Sequence, residues 1–90
     1  MKTAFRKSFE RDLKRLRRDQ QLLDRVGETI EAVEAAAEMG RLPGVKKLGG
    51  GSGDFYRLRI GDYRIGLELD EQVAIFVRCL HRSDIYRYFP

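Results

Sequence analysis

Apolar residues recur along this chain with two different periods, and the change from one to the other comes near Gly44. In the first half, Phe9, Leu13 and Leu16 fall at helical spacing, with Arg11, Lys14, Arg15, Arg17 and Arg18 around the other faces. That pattern predicts a first helix with Ser8 as its N-cap. Asp19 is placed to cap a second helix, whose apolar stripe is Leu22, Leu23, Val26, Ile30, Val33 and Ala37. Glu31, Glu34 and Glu38 line its outside, Gly40 closes it and Pro43 forbids continuation. The two make a helical hairpin. Before them, Lys2 to Phe5 fits either a short strand or the beginning of a helix.

Beyond Gly44 the period becomes two. Gly49, Gly50, Gly51 and Gly53 predict a flexible loop, and three alternating strands follow. Tyr56, Leu58 and Ile60 share one face of the first. Tyr63, Ile65, Leu67 and Leu69 do so on the second, and Val73, Ile75, Val77 and Cys79 on the third. Gly61-Asp62 makes a two-residue hairpin loop. Asp70-Glu71-Gln72 is expected as a three-residue loop, because that length keeps both apolar sets on one face. The predicted fold is a single α+β domain over residues 1–90. Its helical hairpin, preceded or not by a short strand, packs on an antiparallel sheet of three to four strands.

Charge adds a second pattern. The net charge is +4, but residues 1–18 hold eight Lys/Arg against two acids, and residues 19–38 hold six acids against Arg25. Basic character returns in 41–64 and 78–87. A basic arm beside an acidic arm favours antiparallel pairing of the helices, although each exposed ion pair contributes less than ~1 kcal/mol. The returning basic stretches suit a polyanion. No apolar run approaches the ~20 residues of a membrane span, so a cytoplasmic protein is expected. Cys79 is the single cysteine and falls in an apolar strand, where a buried inert thiol is expected. No carboxylate–histidine cluster suggests a metal, and no cofactor is implied.

The hairpin arithmetic brings the arginines together. A two-residue loop at 61–62 places Arg59 opposite Arg64, and a three-residue loop at 70–72 places Arg64 opposite Arg78. Arg57 lies one pleat along the same face, opposite Gly66. Like charges directly opposite cost a few tenths to ~1 kcal/mol each in a sheet. The row makes sense if an anion sits over it, and guanidinium presents a planar fork to phosphate oxygens. After the third strand come His81, Arg82 and Tyr86. His81 is the only histidine; cations beside it favour the neutral ring that accepts a proton. Tyr86 can stack on a base. Tyr88 and Phe89 are expected to pack against the sheet.

The run from Phe55 through Gly61-Asp62-Tyr63-Arg64, followed by His81-Arg82-Ser83-Asp84-Ile85-Tyr86, resembles the RelE/ParE superfamily of toxins, the RelE-like branch in particular. The resemblance implies a metal-independent endoribonuclease that cuts mRNA in the ribosomal A site, and a cognate antitoxin that wraps the toxin. It also favours a strand at Lys2–Phe5. It carries the basic pair to Arg57 and Arg59, the post-hairpin arginine to Arg64, the terminal basic pair to His81 and Arg82, and the C-terminal tyrosine to Tyr86. Two departures stand out: Leu80 occupies a place where glycine is common, and the chain ends soon after Tyr86. Cleavage would proceed by attack of the ribose 2′-OH on phosphorus. On this reading Arg64 and Arg82 stabilise the phosphorane, Arg57, Arg59 and Arg78 hold the backbone, and His81 moves the proton. The alternatives are a ParE-type inhibitor of DNA gyrase without nuclease activity, and a degenerate member that only binds antitoxin or RNA.

Overall fold

The structure is a computed structural model describing residues 1–49 and 53–90. In chain order the elements are β1 (Lys2–Phe5), α1 (Lys7–Arg15), α2 (Gln20–Ala35), a 3-10 turn at Met39–Arg41, β2 (Val45–Leu48), β3 (Asp54–Ile60), β4 (Tyr63–Asp70), β5 (Val73–His81) and α3 (Ile85–Tyr88). The glycine loop keeps Gly49 and Gly53 within view; Gly50 and Gly51 lie outside the described residues.

Five strands form one sheet in the order β1-β5-β4-β3-β2. The expectation of three or four antiparallel strands is therefore extended at both edges. Val45–Leu48 adds β2, and Lys2–Phe5 is a strand that runs parallel to β5. Asp19 caps α2 as expected, its side chain accepting from the Leu22 N–H. Ser8 does not cap α1, whose first residue is Lys7 and whose N-cap position is Arg6. The second helix stops at Ala35, short of Gly40, because Ala36 turns extended. The Met1 amine, brought there by β1, donates to the carbonyls of Glu34 (2.6 Å) and Ala36 (3.0 Å). A positive group at that end suits the helix dipole.

The helices cover one face of the sheet. Phe9 of α1 and Leu22, Val26 and Val33 of α2 meet Ile65, Leu67, Ala74 and Phe76 of the strands. Burying a side chain such as Phe76 or Ile65 is worth about 1.5–3 kcal/mol. Phe5, Phe9 and Phe76 stack with ring centroids 5.2–5.9 Å apart. Among the described residues no salt bridge joins basic α1 to acidic α2. Burial on the sheet, rather than opposed charge, seats the helices.

The second hairpin departs from the sequence expectation. Asp70 pairs with Val73, so the loop is only Glu71-Gln72, and both residues adopt positive φ (46° and 71°). A two-residue loop with that conformation matches the right-handed twist of the strands it joins. It also puts the apolar phases out of step, and a bulge restores them. Pairing passes from Gly66↔Arg78 to Leu67↔Phe76, leaving Val77 as the extra residue. The core face of β5 is thus Ala74, Phe76 and Cys79, not Val73, Ile75, Val77 and Cys79.

Helix α1 serves the backbone groups of the bulged segment where β1 leaves the edge of β5. The Arg6 N–H donates to Phe76 O (2.9 Å). Ser8 Oγ donates to Val77 O (2.6 Å), and the Cys79 N–H donates to Asp12 Oδ2 (2.9 Å). Ser8 and Asp12 are four apart, one helical turn, so both reach the same edge.

Candidate nucleic-acid interface

The first hairpin holds its predicted register. Gly61 takes φ +57°, Arg59 stands opposite Arg64, and Arg57 stands opposite Gly66. The far side of β4 does not. Arg64 faces Leu80, and Arg78 faces Gly66, because the shorter turn and the bulge each displace β5 by one residue. The expected row Arg59-Arg64-Arg78 is replaced by two shorter rows. One is Arg59-Arg64-Leu80; the other is Lys46-Arg57-Gly66-Arg78.

On the sheet face turned away from α1 and α2, Lys46, Arg57, Arg59 and Arg64 converge with Tyr86 and Gly44 around an open pocket of about 200 Å³. Its lining contains no carboxylate. Arg64 Nη1 donates to the carbonyls of Gly61 (3.0 Å) and Tyr63 (2.9 Å), which ties one end of the fork to the turn. Among the described residues no acidic side chain pairs with Arg57, Arg59 or Arg64. Four cations held side by side without a counter-charge make a place for a polyanion.

The C-terminal segment lies across this face by three aromatic contacts. Tyr86, 72% exposed, places its ring 4.5 Å from the Arg57 guanidinium carbon. Phe89 is buried over Gly66, where any Cβ would come within 2.6–2.7 Å of its ring, and it meets Phe55 edge-on. Tyr88 lies 5.3 Å from the Arg78 guanidinium. Phe89 thus packs on the sheet as expected, whereas Tyr88 stays 56% exposed.

Three predicted site residues are not in the pocket. Arg78 is clamped by Asp12: its Nε and Nη2 reach the carboxylate at 2.8 and 3.0 Å, and Asp12 is only 2% exposed. The Asp12 hydrogen bond pushes the Arg78 pKa up, partial burial opposes it, and the Asp12 charge adds to the rise. His81 pairs with Tyr63, so the pleat turns it to the helix side rather than beside the arginines. It lines a separate recess of about 240 Å³ with Arg15, Tyr63 and Asp84. Its Nδ1 accepts from the Ser83 N–H (3.2 Å) and lies 2.8 Å from Ser83 Oγ. Arg82 rests against the β3–β4 turn: its N–H donates to Asp62 O (2.8 Å), and its guanidinium is 4.0 Å from the Asp62 carboxylate.

Two positions that shape this face escaped the sequence pattern. Lys46 lies in Val-Lys-Lys-Leu, which has no alternation and does not read as a strand. Asp12 had a signal: it sits between Phe9 and Leu13 on the apolar side of α1, three and four residues from Phe9 and Ser8. Cys79 is buried as expected, and desolvation pushes its thiol up to about 12, with the Asp12 charge adding to the rise. Among the described residues, no three His, Cys, Asp or Glu side chains gather in a way able to hold a metal ion.

Comparison with known proteins agrees with this architecture. A family model described as ParE toxin of type II toxin–antitoxin system, parDE, matches residues 4–86. Toxin RelE3 of Methanocaldococcus jannaschii is 38% identical over 91 residues, spanning 100% of both chains. The RelB–RelE antitoxin–toxin complex from Methanococcus jannaschii contains a chain that superposes with TM-score 0.78 at 36% identity, covering 97% of this chain and 99% of that one. YafQ from E. coli strain BL21(DE3) has TM-score 0.74 at 10% identity, covering 93% and 96%, and shares the fold. So does a metal-bound toxin from Helicobacter pylori, with TM-score 0.64 at 24% identity and coverage of 94% and 98%.

Proposed function

The chain belongs to the family of ParE toxins of type II toxin–antitoxin systems, and we propose that this RelE-like toxin is an endoribonuclease acting on mRNA in the cytoplasm, at the ribosomal A site. The observation that carries this reading is the convergence of Arg57, Arg59 and Arg64 with Tyr86 in one acid-free pocket. In-line attack by a ribose 2′-OH forms the O2′–P bond and breaks the P–O5′ bond. The products are a 2′,3′-cyclic phosphate and a 5′-OH. The intermediate charge on phosphorus is what guanidinium groups stabilise best, through two parallel N–H donors each. Arg59 and Arg64, opposite one another on adjacent strands, take the phosphorane oxygens. Arg57 holds the flanking backbone, and Tyr86, already stacked on it, receives a base on its open face.

Arg78 and His81 have no direct part in this reading. Arg78 is engaged by Asp12 and supports the tail through Tyr88. His81 faces the other side of the sheet. Arg82, at the turn, contributes at most to the long-range attraction of RNA.

The structural relative solved as an antitoxin–toxin complex supports a cognate antitoxin as partner. The same acid-free pocket suits an acidic antitoxin segment as a competitor of RNA. Membership of the ParE-described family keeps gyrase inhibition as the rival reading, and one experiment separates them. The toxin is expressed from an inducible promoter, mRNA 5′ ends are mapped, and plasmid supercoiling is followed in parallel. New 5′-OH ends within coding regions, absent with Arg64→Ala, are expected before supercoiling changes. Growth arrest with intact mRNA and relaxed plasmid would overturn the nuclease reading.

A further inference from the structure

The tail divides the open face of the sheet in two. Phe89 holds it down over Gly66, and the two tyrosines of α3 reach out to opposite sides. Two residues along a helix is a little over half a turn, so Tyr86 and Tyr88 part in this way. Tyr86 stacks on Arg57 of β3 and borders the arginine pocket. Tyr88 leans on Arg78 of β5 and borders a second recess, of about 600 Å³, that the proposed function leaves unused. Arg57 and Arg78 flank Gly66 in register, so the two arginines under the rings stand two strand spacings apart, about 10 Å.

The recess lies between the tail and α1. Arg11 and Arg15, four apart on α1, bring two exposed guanidiniums to it from one side of the helix. Among the described residues neither is ion-paired. Two carboxylates also line it. Asp12 is only 2% exposed and is spent on Arg78 and the Cys79 N–H, so it adds no free negative charge. Asp84 is exposed and offers an acceptor. The Tyr88 ring is 56% exposed, with Arg78 beside it. An open ring, two free guanidiniums and one acceptor fit the three parts of a nucleotide: its base, its phosphate, and its hydroxyl or amino donors. An acidic peptide would satisfy the arginines but would leave the ring unused and meet a like charge at Asp84.

We propose that this recess is a second RNA subsite, which holds a nucleotide flanking the cleaved linkage with its base on Tyr88 and its phosphate on Arg11 and Arg15. The proposal rests on the nuclease reading above, in which the cleaved linkage lies in the arginine pocket. The strand then crosses the tail from one tyrosine to the other. Asp84 accepts from the ribose 2′-OH or from an exocyclic amine. No bond is made or broken in this subsite; it fixes the path of the strand.

The test uses RNA made uncleavable by a 2′-deoxy sugar at the cleaved linkage, presented alone and on programmed ribosomes. The fluorescent base 2-aminopurine is placed at one position at a time, and stacking on a tyrosine quenches it. Two separate positions are expected to be quenched by the wild type. Tyr86→Ala should release the first. Tyr88→Ala should release the second and weaken binding about tenfold, while Tyr88→Phe keeps both signals. Arg11→Ala and Arg15→Ala should each weaken binding and flatten its salt dependence by about 0.7 in slope, with the first signal intact. If Tyr88→Ala releases both signals and the α1 variants bind like the wild type, Tyr88 only anchors the tail and the proposal is overturned. A first signal with no second overturns it too, and leaves the recess to a protein partner. A wild type that quenches at no position and leaves the all-ribose RNA uncut removes the nuclease reading and this subsite together.

Discussion

Arg57 and Arg78 stand on either side of Gly66, in register on the same face of the sheet, and each is stacked against a tyrosine of the tail. They differ in what lies behind them. Arg78 has Asp12, a buried carboxylate that takes two of its nitrogens and the Cys79 N–H as well. Arg57 has no carboxylate partner among the described residues and borders the open pocket with Lys46, Arg59 and Arg64. One flank of the glycine is neutralised and fixed; the other is left charged and open. The same residue type, in nearly mirrored settings, is a structural strut on one flank and a pocket-lining group on the other.

The largest effect should come from removing the strut. Asp12→Ala leaves a part-buried guanidinium without its carboxylate and a buried N–H without its acceptor. The expected loss is about 3–5 kcal/mol of unfolding free energy, read from urea denaturation followed by circular dichroism. A loss below about 1 kcal/mol would make Asp12–Arg78 an ordinary surface pair. Next is the glycine between the flanks. Gly66→Ala puts a Cβ within 2.6–2.7 Å of the Phe89 ring, so the ring must leave its seat. About 1–3 kcal/mol of stability should be lost, and cleavage should fall with it because Tyr86 follows the tail. Full activity with a displaced Phe89 would show that the tail does not set the pocket.

The contrast itself is sharpened by two alanine variants measured side by side for RNA affinity against salt. Arg57→Ala should keep its stability within about 0.5 kcal/mol and flatten the salt dependence by about 0.7–1 in slope. Arg78→Ala should do the reverse: it loses stability and keeps the slope. Equal slopes in the two variants would erase the distinction. An effect confined to alkaline pH lies behind the strut, at Cys79. Its thiol is raised from 9.0 to about 12 in the folded protein, so the folded state holds the proton more tightly. Its contribution to stability is complete below about pH 9 and is lost as pH rises toward 12, at up to about 1.4 kcal/mol per pH unit. Cys79→Ala should remove that share of the alkaline fall; an unchanged profile would mean the thiol does not resist ionisation.

The sequence was readable where a feature was local. Gly61-Asp62, with its glycine at positive φ, set the β3–β4 register and with it the Arg59–Arg64 and Arg57–Gly66 pairs. Asp19 and the stripe of Leu22, Val26 and Val33 gave α2. The second hairpin was misread because two compensating irregularities look like one regular longer loop. A tight Glu71-Gln72 turn plus a bulge at Val77 restores the phase that a three-residue loop would have kept. That moved Arg78 two residues out of the row, while His81 left the company of the arginines because β5 runs on through it in the phase of Cys79. Val-Lys-Lys-Leu hid β2, and so hid Lys46, because an edge strand crossing open and covered regions need not alternate. Asp12 was hidden by distance: its partner lies 66 residues away.

The pairing of β1 with β5 has a consequence for how the protein comes into being. The second residue of the chain is in register with residue 73, and α1 is tied to residues 77–79 by Ser8 and Asp12. None of these contacts exists until β5 has been made, and the tail that seats Tyr86 comes later still. At about 5–20 residues per second of synthesis, a nascent chain spends seconds with its first strand unpaired and its arginine pocket unformed. Long-range parallel pairing is also slow to form. The edge strand β1 and the arginine pocket are therefore late features of synthesis, because β1 waits on a segment that lies more than 60 residues further along the chain and the pocket waits on Tyr86.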